Sequence, residues 1–152
     1  MDYLLDTNIV LIYTQASTLA RQIERDLALL GEENRLFISV VTVGEIESLI
    51  LQRGYGDKKK QAFQKLLSYL TIVDINIKEI INRYAEIDAF SQGKHPNKIL
   101  SMTARNMGKN DLWIAATSSL YNLVLVTTDQ DFAHLNETYL PLKYVDIEQY
   151  RQ

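Results

Sequence analysis

The chain has 152 residues, a formal net charge of −3, 47% apolar and 23% charged residues, and no cysteine. That length suits one domain with a sizeable core. The absent cysteines exclude disulfides, thiolate metal sites and cysteine nucleophiles, and the acidic balance argues against a protein that holds nucleic acid by charge alone. No apolar run reaches the roughly 18 residues that span a bilayer, and the start MDYLLDTN lacks the basic region of a secretory signal. A cytoplasmic protein with no membrane attachment is expected. No repeat, low-complexity tract or linker divides the chain, so residues 1–152 are read as a single domain.

In chain order, Asp2–Leu5 reads as a short apolar strand and Asn8–Tyr13 as a short helix. Leu19, Ile23, Leu27 and Leu30 fall at helical spacing, with Gly31 as the stop. Leu36–Val41 reads as a buried strand and Thr42–Gln52 as a helix closed by Gly54. Lys58–Leu70 is helical, Thr71–Ile75 a strand and Ile77–Phe90 a helix. Pro96–Met107 is predicted as a helix opened by its proline. Asp111–Tyr121 is a further helix, Leu123–Thr127 a continuous apolar strand and Lys143–Val145 a short last strand. Apolar strands alternating with amphipathic helices predict an α/β fold, a mostly parallel sheet covered on both faces. Ligands bind such sheets beyond the carboxyl ends of the strands.

Four acids fall where that rule points. Asp6 follows the first strand, Glu45 lies in the first turn of the helix after the second, Asp129 follows Leu123–Thr127, and Asp111 opens the helix before that strand. Four carboxylates in one pocket repel each other unless protons or a cation intervene. A divalent ion with oxygen ligands resolves the conflict, Mg2+ first and Mn2+ as the alternative. The pocket has room in principle for one ion or for two at roughly 4 Å spacing, and such a site supports attack of water on a phosphodiester. Each acid also has a local reading. Asp6 caps a helix, Thr42 and Glu45 form a capping box, Asn110-Asp111 cap the next helix, and Asp129 holds a turn.

The stretches that carry these acids resemble a known family. LLDTNIV at 4–10, SVVTVGEIE at 39–47, NDLWIAA at 110–116 and LVTTDQDF at 125–132 resemble the four acidic motifs of PIN domains, and among them the VapC-like toxins of type II toxin–antitoxin pairs. The resemblance runs from Leu4 to Phe132. It implies a three-layer α/β/α domain with a central sheet of about five parallel strands. Asp6, Glu45, Asp111 and Asp129 then become both metal ligands and catalytic residues. Thr127 and Asn8 become supporting residues, with Asp131 able to assist Asp129. The same resemblance implies a metal-dependent endoribonuclease, a homodimer, and a cognate antitoxin that forms a heterotetramer or larger assembly with it. The stretch from Ser91 to Asn110 looks longer than the family's usual connection before the third acid, which leaves substrate choice open.

That stretch contains no acid but holds Lys94, Lys98, Arg105, Lys109 and His95, a basic strip leading to Asp111 and a candidate RNA contact. A second cluster, Arg53, Lys58, Lys59, Lys60 and Lys65, reads equally well as a solvated helix face. The two histidines, His95 and His134, have no sequence relation that suggests an acid–base pair. Tyr13, Tyr55, Tyr69 and Trp113 are candidates for stacking on bases, although core packing suits Trp113 better. Two other classes stay open from the residues alone. One is an RNA- or protein-binding module of the same fold without catalysis. The other is a phosphoacceptor signalling domain with Asp74 as acceptor, which lacks the paired acids such a domain needs after its first strand. A phosphatase with an aspartyl nucleophile is disfavoured because Asn8 stands where its second acid belongs.

Overall fold

The computed structural model describes residues 1–151. Five strands form one parallel sheet in the order β3-β2-β1-β4-β5. They are β1 (Asp2–Leu5), β2 (Arg35–Ser39), β3 (Leu70–Val73), β4 (Val124–Thr127) and β5 (Leu142–Tyr144). Six α-helices connect them: α1 (Thr7–Thr14), α2 (Thr18–Leu27), α3 (Val40–Arg53), α4 (Asp57–Leu67), α5 (Lys78–Ser91) and α6 (Lys109–Tyr121). Short 3₁₀ turns cover Gln130–Leu135 and Ile147–Tyr150. Among the described residues no helix is long and apolar enough to cross a membrane.

Strand side chains alternate between faces, and the alternation sorts the helices into two layers. Leu5, Ile38 and Val126 point to one face and pack with Ile9, Val10, Ile23, Ile46, Ile50 and Phe63 of α1–α4. Leu4 and Leu125 point to the other and pack with Ile87, Phe90, Leu112, Ile114 and Phe132. The result is the expected three-layer α/β/α sandwich, with every strand parallel to its neighbours.

Several boundaries differ from the sequence reading for identifiable reasons. Helix α2 stops at Leu27 because Ala28 turns left-handed (φ 48°) and its N–H closes on the Glu24 carbonyl, so Leu30 and Gly31 lie in the following turn. Strand β2 ends at Ser39, whose hydroxyl accepts from the Val41 N–H and starts α3 two residues before the predicted Thr42. Leu70 belongs to β3 rather than to α4.

The predicted helix over Pro96–Met107 does not form. Residues 96–107 run as an irregular strap. His95 Nδ1 accepts from the N–H groups of Asn97 and Lys98, both at 3.0 Å, which makes a turn where a helix would start. Ile99 is 94% exposed and Met102 half-exposed, so these apolar side chains gain no burial that would favour a helix. Tertiary anchors hold the strap instead. The Arg105 N–H donates to the Ser91 carbonyl at 2.8 Å, and Lys98 Nζ lies 4.2 Å from the Tyr139 ring centre.

Candidate active site

The strand order reverses direction between β1 and β4, and Asp6 sits at the end of the first of these strands. This is the switch point at which parallel α/β sheets open a crevice. Asp6 is 96% buried, being only 4% exposed. Its Oδ1 accepts from the Thr7 N–H at 2.8 Å, capping α1, and its Oδ2 accepts from the Thr127 hydroxyl at 2.6 Å. The cap engages one carboxylate oxygen only, and the other serves Thr127. Burial raises the Asp6 pKa, and the charges of Asp129 and Glu45 push the same way against those two hydrogen bonds.

Thr127 joins two of the acids. Its fully buried Oγ1 donates to Asp6 and accepts from the Asp129 N–H at 3.0 Å. Asp129 in turn caps the 3₁₀ turn, its Oδ1 accepting from the Asp131 N–H at 2.8 Å. Glu45 does not form the capping box with Thr42, because Ser39 is the cap and Thr42 lies inside α3. Its Oε1 accepts from the Thr7 hydroxyl at 2.9 Å. Thr7 therefore carries Asp6 on its backbone and Glu45 on its side chain, and its Oγ1 also lies 3.2 Å from that of the fully buried Thr42. Sequence reasoning passed over Thr7. Its only signal was its position between Asp6 and Asn8.

Asp111 lies in the first turn of α6, whose cap is Gly108 without a side-chain bond, so Asn110 and Asp111 are not the cap. Burial pushes the Asp111 carboxyl up to about 7, helped by the charges of Asp6, Asp129, Glu45 and Asp131 in that order. The four acids thus share one electrostatic field at the carboxyl edge of the sheet. Among the described residues no three His, Cys, Asp or Glu side chains are already closed around a point for a cation. Mutual repulsion between carboxylates favours such separation, and the all-oxygen, anionic donor set is the chemistry that Mg2+ or Mn2+ takes.

The remaining predicted residues are less uniform. Asn8 is exposed on the first turn of α1. Asp131 is exposed and faces Arg105, 3.7 Å from its guanidinium. Of the basic strip, Arg105 is occupied by Asp131, while Lys98 and His95 both pair with Glu86, at 3.2 and 3.4 Å. Lys94 and Lys109 are exposed. In the second cluster Lys59 lies 4.3 Å from the Tyr55 ring centre, and Arg53 donates to the Tyr55 hydroxyl at 3.1 Å. Trp113 is not a core residue. It is half-buried, stacks at a tilt on Tyr84 with centroids 4.3 Å apart, and lines a cleft of about 570 Å³ between α3 and α6 beside Glu45. His134 is buried with Nε2 2.7 Å from the Ser91 hydroxyl, whereas His95 pairs with Glu86, so the two histidines do not form an acid–base couple. Asp74 follows β3 at the edge of the sheet and accepts from the N–H groups of Ile75 and Asn76, the bonds of a turn.

Comparison with known proteins agrees with this fold. No curated protein sequence matches the chain. The solved structure of VapBC2 from Rickettsia felis bound to a DNA fragment from its promoter contains a chain 25% identical, aligned over 96% of this chain and 100% of that one with a TM-score of 0.71. VapBC-1 from nontypeable Haemophilus influenzae matches at 23% identity over 95% and 98% of the two chains, TM-score 0.68. VapBC-5 from Mycobacterium tuberculosis, a member of the VapBC family of toxin–antitoxin systems, matches at 21% over 95% and 98%, TM-score 0.63. The PIN domain profile matches residues 3–137, and with that span and this architecture the chain belongs to the PIN domain family.

Proposed function

We propose that this PIN domain is a metal-dependent endoribonuclease that hydrolyses RNA phosphodiester bonds and serves as the toxin of a toxin–antitoxin pair. One observation carries the reading. Acids from four separate segments lie along the carboxyl edge of the sheet around its switch point, where Thr7 and Thr127 tie Asp6 to Glu45 and Asp129 and the charges of Asp6, Asp129 and Glu45 raise Asp111. Asp6, Glu45, Asp111 and Asp129 would hold Mg2+, with Mn2+ the alternative. When bound there, the cation neutralises charge on the scissile phosphate and makes water a better nucleophile. The chain's own residues supply the geometry. Thr127 fixes the second oxygen of Asp6 and the backbone of Asp129, and Thr7 fixes the near oxygen of Glu45. Such outer partners orient ligands and are worth about 10- to 100-fold in metal affinity or activity. Asn8, exposed two residues after Asp6, would contact substrate, and Asp131 would assist Asp129.

The toxin role draws support from similarity to structures of VapBC complexes. It carries with it a cytoplasmic location and a cognate antitoxin. It also carries a homodimer that becomes a heterotetramer or larger assembly with that antitoxin. The test is cleavage of total RNA with and without Mg2+, wild type against Asp6→Asn. Discrete cuts that need the metal and vanish in the variant are expected. Equal cutting by both proteins would refute the acidic mechanism.

A further inference from the structure

We infer that the cleft on the Asp129 side of the acidic edge is a subsite for one unpaired base of the RNA substrate, with Tyr144 as the stacking face and Gln130 and Asn136 as hydrogen-bonding amides. The inference rests on the nuclease reading above. The cleft encloses about 540 Å³, within the roughly 300–1,000 Å³ of ligand sites. Tyr144 is the last residue of β5 and pairs in register with Thr127. Gln130 directly follows Asp129. The carboxyl edge therefore runs from Glu45 past Asp6 to Asp129 and then to Tyr144, which puts the cleft next to the acids on the side away from α3.

The lining has the chemistry of a base pocket. Tyr144 is 37% exposed, and its hydroxyl accepts from Gln130 Nε2 at 3.2 Å. That bond holds the ring and leaves the Gln130 carbonyl oxygen to accept from a ligand. Asn136 Oδ1 accepts from the Leu142 N–H at 3.2 Å, which leaves its amide nitrogen to donate. An aromatic face with one donor and one acceptor suits the face and edge of an unstacked base. A phosphate does not suit it. Arg105, the one cation among the described lining residues, donates from Nη1 to the Asp131 backbone carbonyl at 3.3 Å and pairs through the same nitrogen with the Asp131 carboxylate. That carboxylate stands exposed at the cleft and repels phosphate. A duplex is excluded as well, because its bases are stacked and paired.

The test places 2-aminopurine at successive positions of a short single-stranded RNA and uses the Asp6→Asn protein in Mg2+, so that binding is read without cleavage. One position is expected to show quenched fluorescence. Adding Tyr144→Ala should remove that quench and weaken binding about fivefold or more, while Tyr144→Phe keeps both. If Tyr144→Ala lowers the melting temperature but leaves quench and affinity unchanged, the tyrosine only packs the surface and the subsite is wrong. Metal-dependent cleavage by wild-type protein whose cut-site base preference survives Tyr144→Ala also overturns the subsite, and leaves the nuclease reading standing. Neither binding nor cleavage of any RNA by wild type would overturn the nuclease reading, and the subsite with it.

Discussion

Asp6 accepts two hydrogen bonds that do different work, one closing α1 and one tying the carboxylate to Thr127. Asp6→Asn keeps an oxygen for the Thr7 N–H and removes a charge from a crowded site. Activity should fall by about two orders of magnitude or more, with the melting temperature of the metal-free protein unchanged or slightly raised. Parallel loss of activity and stability would mean that capping is the residue's whole role. Thr127→Val should behave in the opposite way. It strands the Asp129 N–H and one oxygen of Asp6 in a buried place, at a cost of about 1–3 kcal/mol, and should weaken the activating effect of Mg2+ about tenfold. Urea denaturation and a metal titration of activity read the two effects separately. Asp6 and Asp129 were legible at this scale because they follow strand ends, and Glu45 and Asp111, which lie on helices, because the stretches around them resemble a family's acidic motifs. Thr7 was not, because a threonine between two polar residues looks like any cap until the fold sets Glu45 against it.

At the scale of elements, the strap over residues 96–107 is where the proline start signal misled. A proline at a possible first turn opens a helix only when the side chains that follow find a surface to pack on, and Ile99 finds solvent. The strap is tied down at Ser91, which holds both the Arg105 N–H and the His134 ring. Burial lowers the His134 pKa, the charge of Arg105 lowers it further, and Asp131 opposes them. A histidine with a depressed pKa stays neutral in the fold while the unfolded chain protonates near 6.5. Its contribution is therefore complete above 6.5 and is lost as pH falls below that value towards the lower folded pKa. The stability difference between wild type and His134→Gln, from urea denaturation, should shrink as the buffer is taken from neutral to mildly acid pH. A difference constant with pH would show that His134 does not titrate in the strap's favour.

For the whole molecule, the decisive fact is that one sheet edge collects charge from residues as far apart as 6 and 129. Asp111 shows the consequence. Its folded pKa of about 7 lies above the ordinary 3.8, so the folded carboxyl keeps a proton that the unfolded one releases. Metal-free stability from this group is complete below 3.8 and declines as pH rises to about 7. A divalent cation replaces that proton. The rise in melting temperature on adding Mg2+ should consequently be small at pH 5 and larger at pH 8, with proton uptake on removal of the metal by chelator. A metal-induced rise that is equal at both values would mean that the ion binds elsewhere. The two titrations oppose each other below 6.5, which is why the His134 effect must be read as a difference between variants.

The amino-acid sequence by itself determined the alternation of buried strands and amphipathic helices, the α/β fold and the positions of the four acids. Local patterning encodes these features. Continuous apolar runs mark strands covered on both faces, and an acid after such a run lies at a carboxyl end. Tertiary structure alone decided that Glu45 bonds Thr7 rather than its own helix, that Arg105 and Lys98 pair within the protein, and that Trp113 and Tyr144 line clefts on either side of the acids. Each of these depends on which residues distant in the chain become neighbours, and no local period carries that information. A long polar side chain takes whatever partner the packed strands and helices bring within about 3 Å.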